Sequence, residues 1–242
     1  MTTRMTTGIR TITTMSTDSA ALYRLLTWLS PAYPVGAFSY SHGLETAVEE
    51  GLVRGRDGLV AYVTTVLNHG AGRIDGALLV AAHRAAQAGK PRVLDQVAQL
   101  ATAWRGTAET ALETMQQGTS FTSITNTAWP DARFAAFAAR HGGRLAHPVA
   151  FGAVAGFQRV PLLASVTAWL AAFAANLVSA GVRIVPLGQT DGQLATAALQ
   201  PIVDAAAQAA LAADLDDLGT ASPMLDLLSM RHETQYTRLF RS

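Results

Sequence analysis

Cysteine is absent from the 242 residues, which removes disulfides, thiolate nucleophiles and thiolate metal sites. Lysine is almost absent: Lys90 stands alone against seventeen arginines. Only 14% of the residues are charged and the net charge is near +1, so no broad field exists to hold nucleic acid or an anionic membrane. There is no P-loop and no G-x-G-x-x-G, hence no cradle for a nucleotide phosphate. The six histidines include no pair one helical turn apart and no H-E-x-x-H, so no metal site is expected. No apolar run follows Arg4 and Arg10, so no secretory signal is read. What the chain does have is hydrophobic residues, at 50% of the total, enough for a substantial core.

The Thr-rich first eighteen residues, with no acid before Asp18, are expected to be a disordered leader, with Met5 and Met15 as alternative starts. Beyond them, apolar residues recur at the helical period. Asp18 or Ser19 caps a helix through Leu22, Leu25, Leu26 and Leu29. Further stripes begin at Leu44, Leu59, Ile74 and Val93, the last extending toward Met115. Asp131 to Arg140, with Pro130 in its first turn, and Pro148 to Phe157 follow. Gln189 to Leu218 is Ala-rich, with Pro201 marking a kink or a break. Ser222-Pro223 opens a short helix. Gly118 to Thr127 carries alternating β-branched residues and, lacking a partner strand, is read as a loop. The expectation is an all-α, single-domain bundle of about ten helices over 19–222, without linker or repeat, and a separate segment over 223–242.

The uncharged run from Val160 to Val182 is long enough to cross a bilayer. Ser165, Thr167, Asn176 and Ser179 interrupt it, and arginines at both flanks give no orientation bias. It is read as the buried central helix of a bundle, apolar all round, with no membrane partner.

Three stretches do not read as packing alone. Ser30 to Glu45 (SPAYPVGAFSYSHGLE) sets two prolines, a glycine and three aromatics between two helices, a rigid elbow with Ser39 and Ser41 available as caps. Arg183 follows the apolar run and precedes VPLGQTDG, where Gln189 and Asp191 are offered as polar contacts on an exposed loop. From Ser229 the helical pattern fails, yet Met230, Tyr236, Leu239 and Phe240 alternate with Arg231, Arg238 and Arg241, a composition typical of interface hot spots. Ser39 and His42 lie close enough in sequence to raise a helical serine hydrolase as an alternative, though no G-x-S-x-G elbow supports it.

The elbow sequence, together with HPVAFG at 147–152, SAGVRIVPLGQTDGQ at 179–193 and SMRHE through RLFRS at 229–242, resembles the UreF family of urease accessory proteins, in the family's order. The resemblance implies an all-helical homodimer of the cytoplasm with no cofactor and no catalytic centre. It implies an adaptor in nickel insertion into apo-urease, bridging a UreD/UreH-type accessory protein and a UreG-type GTPase. The partner-binding residues it suggests are Pro34, Gly36, Phe38, Tyr40 and Glu45 on the elbow, Arg183, Gln189 and Asp191 beyond the apolar run, and Met230, His232, Glu233, Tyr236, Arg238, Leu239, Phe240 and Arg241 in the tail. Ser229 to Ser242 would dock on the UreD-type partner and become ordered there.

Overall fold

The computed structural model describes residues 18–242, so the expected leader lies outside the described residues apart from Asp18. Among the described residues there are eleven α-helices, one 3-10 turn and no strand: α1 (Ser19–Trp28), the turn Ala37–Ser39, α2 (Leu44–Glu49), α3 (Gly55–His69), α4 (Ala71–Gln87), α5 (Pro91–Ala103), α6 (Ala108–Ala128), α7 (Ala132–Arg140), α8 (His147–Phe157), α9 (Leu162–Ile184), α10 (Gln189–Ala212) and α11 (Pro223–His232). The all-α expectation holds.

Helix boundaries follow the local chemistry. Asp18 accepts the Ala20 N–H at the start of α1, and Asp131 accepts those of Arg133 and Phe134 at the start of α7, each satisfying an N–H the helix cannot. Pro130 therefore lies outside the helix it was expected to open. Pro91 and Pro223 take first-turn positions, where a missing N–H costs nothing.

The centre of the bundle is α8, not the longer apolar helix. Pro148 to Gly156 are all buried, and α8 packs mainly along α4. The approach is close because Gly152 and Gly156 present no side chain. A Cβ at Gly152 would sit 2.4 Å from the Leu79 carbonyl oxygen, and one at Gly156 equally close to that of His83. By contrast α9 buries one face on α10, α4 and α3 and leaves Leu163, Ala171, Ala175, Ser179 and Arg183 exposed. The expected all-round burial of 160–182 is thus corrected: Ala and Ser at spacings of four make the open face too weakly apolar to demand cover. Both α9 and α10 are long and apolar enough to cross a membrane by length and composition, but each lays a face on the rest of the bundle. Pro201 sits on the exposed side of α10, which continues through it.

Gly118 to Thr127 is helical, inside α6, which corrects the loop expectation. Its alternation was a coincidence of composition. Gly118, Phe121, Thr122 and Thr125 are buried at helical spacing, and the exposed Thr119 and Thr127 hydroxyls donate to the carbonyls four residues back, a local bond that a helix accommodates. The stripe expected to continue from α5 toward Met115 breaks at 104–107, where Thr107 caps α6.

Candidate docking site at the elbow and tail

Each part of the elbow is held by a different helix. Tyr33 and Tyr40 point inward: Tyr33 Oη bonds Thr125 Oγ1 at 2.8 Å and Tyr40 Oη donates to Gln116 Oε1 at 2.5 Å, both on α6. From α9, Asn176 donates to the Ala37 carbonyl and Arg183 to that of Phe38. Gly36 has φ +76°, and a Cβ there would meet nothing within 4 Å, so its need is conformational and not spatial. Pro34 and Phe38 face solvent.

His42 and Gly43 both take left-handed angles, φ 54° and 75°. Gly43 has to be glycine twice over, because a Cβ would also meet the backbone of Leu228 and Ser229 at about 3 Å. For His42 the conformation is a strain of about 1 kcal/mol. It is held by Tyr62 Oη, which donates to the His42 carbonyl at 2.7 Å. Gly43 occupies the cap position of α2 and has no side chain to cap with, but Ser41 Oγ accepts the Glu45 N–H at 3.5 Å. Of the two serines expected as caps, Ser41 thus gives α2 one long bond, and both also bind the tail. Ser41 donates through both its N–H and its Oγ to the Ser242 carbonyl, and the Ser39 carbonyl accepts the Arg241 N–H.

Those bonds belong to a larger one: residues 233–242 lie along the elbow, α2 and α6. Glu45 is the clamp. Its Oε1 accepts the Leu239 N–H at 2.7 Å and its Oε2 accepts the Phe240 N–H at 3.0 Å. His232, fully buried, places Nε2 3.1 Å from Glu45 and Nδ1 2.9 Å from Glu109. Glu113 contacts His42 Nε2 at 2.9 Å and accepts from Gln117 Nε2 and Ser242 Oγ. Across the α11 side, Thr107 and Ser229 hydroxyls bond at 2.8 Å, Thr46 bonds Gln235, and Arg231 pairs with Glu50. Phe240 is buried with the Arg183 guanidinium stacked 4.3 Å from its ring centroid, a cation–π contact.

Three buried carboxylates therefore face one another's neighbourhood, matched by two histidines, Arg238 and backbone N–H groups. Burial pushes the Glu109 carboxyl up, with His232 and Arg238 working against that shift. Burial works to lower His42, yet the neighbouring Glu113 carboxylate outweighs it and the net shift is upward. Its ring is committed to Glu113 and its carbonyl to Tyr62. No hydrogen bond joins Ser39 to His42 among the described residues, so the serine hydrolase alternative has no assembled pair.

The sequence-selected residues divide by exposure. Tyr236 is fully exposed, and Leu239, Phe38 and Met230 are between 48% and 66% exposed. Pro34, Glu233, Arg238 and Arg241 are also open to solvent. Tyr40, Glu45, His232 and Phe240 face inward, and hold the tail in place in the chain as it stands. Arg183 is exposed but already engaged with Phe38, Phe240 and the Ser179 carbonyl. Gln189 and Asp191 are not on a loop. They sit in the first turn of α10, where Asp191 lies 3.6 Å from Arg56 of α3 and where an acid suits the helix dipole.

Sequence reasoning missed the α6 half of this site: Glu109, Glu113 and Gln117. The signal was available, since these residues recur every four positions beside Thr110 and Thr114, a polar stripe on a helix. Equally, α11 runs through His232, past the point where the pattern fails, because the face it buries carries Ser229 and His232.

Residues 53–200 match the family model described as UreF. Over nearly the full chain, the sequence is 62% identical to the urease accessory protein UreF of Granulibacter bethesdensis (229 residues, 95% of this chain and 97% of that one). It is 54% identical to the UreF of Rhodopseudomonas palustris strain BisB5 (93% of each chain) and 48% identical to that of Bradyrhizobium diazoefficiens (93% of each chain).

Proposed function

The chain belongs to the UreF family of urease accessory proteins, and from that premise we propose that it is a non-catalytic adaptor in urease maturation. In this reading it acts in the cytoplasm as a homodimer and bridges a UreD/UreH-type accessory protein to a UreG-type GTPase, so that nickel is inserted into apo-urease. It takes no cofactor of its own. The observation that carries the reading is the tail. Its backbone is clamped by Glu45 while Tyr236, Leu239 and Arg238 project outward. A polar clamp that leaves Tyr236 and Leu239 in solvent is a display, and tyrosine and arginine are among the residue types enriched as interface anchors.

The inward residues have a second part in this reading. Glu45, His232 and Phe240 set the register of the displayed side chains, so the segment is ordered before the UreD-type partner arrives and less conformational entropy is lost on binding. The GTPase would meet a different surface, near Arg183, Gln189 and Asp191.

The test is a pull-down of the three-component complex using the double variant Tyr236→Ala, Leu239→Ala. Neither side chain is buried, so folding and dimerisation are expected to persist while capture of the UreD-type protein falls by at least about tenfold, the scale of a single hot spot. Undiminished capture would remove the tail from the interface. Normal urease maturation in cells lacking this gene would remove the function.

A further inference from the structure

Behind the tail seat is a small internal pocket of about 30 Å³. It is walled by His42 from the elbow, Asp75 of α4, Arg105 from the α5–α6 connection, Glu113 and Thr114 of α6, and His147 of α8. Three buried polar atoms on this wall have no hydrogen-bond partner: Arg105 Nη2, Thr114 Oγ1 and His147 Nε2. His42 also lines the wall, its Nε2 2.9 Å from Glu113 Oε1. Leaving a buried polar group unpaired is costly, and such groups are normally satisfied. Three around one small space require a common occupant.

Its chemistry follows from the wall. The charges are already balanced: Arg105 Nη1 donates to Asp75 at 2.8 Å, and Glu113 faces His42. Neither an anion nor a cation would find an unmatched countercharge. The occupant must accept from Arg105, which can only donate, and must also exchange a hydrogen bond with a threonine hydroxyl and a neutral imidazole. A pocket of this size holds about one water, and three to four polar partners are what a buried water has.

We propose that this pocket is a structural water site, with Arg105, Thr114 and His147 as its ligands. A cleft of about 280 Å³ beneath α11 shares His42, Ala71, Arg105 and Thr110 with the pocket, which gives solvent a way in. The water ties the α5–α6 connection to α6 and to the first residue of α8, behind the Glu113 carboxylate that holds Ser242.

Two measurements test the site. A crystal structure at atomic resolution is expected to show one ordered density peak within hydrogen-bonding distance of Arg105 Nη2, Thr114 Oγ1 and His147 Nε2. An empty pocket, or side chains turned to bond one another, overturns the proposal. The second compares Thr114→Val with Thr122→Val. Thr122 Oγ1 is equally buried and unpartnered but is not in this pocket's wall. The first variant is expected to lower Tm by about 2–4 °C and the second to leave it unchanged or raise it. Equal effects overturn the proposal.

Discussion

The contact between α8 and its neighbours and the contact between tail and elbow are built by opposite means. The first is dry and steric: glycines let carbonyl oxygens of α4 and of the segment before α8 come within what would be clashing distance of a side chain. The second is polar, made of carboxylates that grip histidines and backbone N–H groups. A steric contact has one solution and nothing to exchange. A charge-assisted contact is specific too, but every bond in it can be traded for one to another molecule. In the proposed adaptor role, the first kind keeps the chain folded and the second holds a segment in readiness.

The sharpest way to break the steric half is Gly118→Ala. The new Cβ would fall 1.8 Å from the Leu145 carbonyl oxygen, forcing α6 away from the start of α8. The gain in helix propensity, about 1 kcal/mol, cannot offset overpacking of about 3 kcal/mol or more. The expected result is a Tm lower by about 4 °C or more, read by circular dichroism.

Glu45→Ala addresses the polar half. It strands two backbone N–H groups and the His232 ring, a loss of about 2–4 kcal/mol confined to the seat. Amides of 238–242 should exchange hydrogen orders of magnitude faster while those of α8 stay protected. Uniform loss of protection would show that tail and core are one cooperative unit.

Proton linkage separates the halves by sign. His147, at the start of α8, is pushed down by burial to about 4 from an ordinary 6.5. Its neutral form is favoured by the fold, so the stability it supports is complete above 6.5 and falls as pH drops toward 4, by at most about 3 kcal/mol. His42 is shifted upward, so its contribution is complete below 6.5 and is lost as pH rises through the folded value. Denaturant midpoints across pH should show both limbs. His147→Gln should flatten the acid limb and His42→Gln the alkaline one.

Gly36→Val is the mildest change. It places a β-branched residue at φ +76° in open space, and about 1–2 kcal/mol of strain is expected, visible as a small fall in Tm. A neutral outcome would mean that the elbow relaxes without cost.

The helices were legible wherever burial is apolar, because hydrophobic spacing records which face turns inward. Thus α1, α3, α4 and α7 could be bounded within a few residues. Legibility failed where burial is polar or depends on the absence of a side chain. Phe121, Thr122 and Thr125 hid α6 in a pattern that also alternates, and Ser229 and His232 hid the second half of α11. The centrality of α8 was invisible because Gly152 and Gly156 look like helix breakers until a neighbouring backbone is seen against them. Within the candidate site, both chain segments stand out in composition and family likeness. That one lies on the other, through Glu45 and the α6 stripe, was not, since nothing in either segment names its complement.

The stacking of Arg183 on Phe240 carries a mechanical implication. The same guanidinium holds the Phe38 carbonyl, so a single side chain at the end of α9 touches both the elbow and the tail. A molecule that lifts Phe240 would strip that arginine of its aromatic cover and loosen its hold on Phe38, some 145 residues away in sequence. Occupancy on the tail's flank would thereby be felt at the foot of α9 with no hinge or domain rotation, as tension passes through a knot when one cord is pulled.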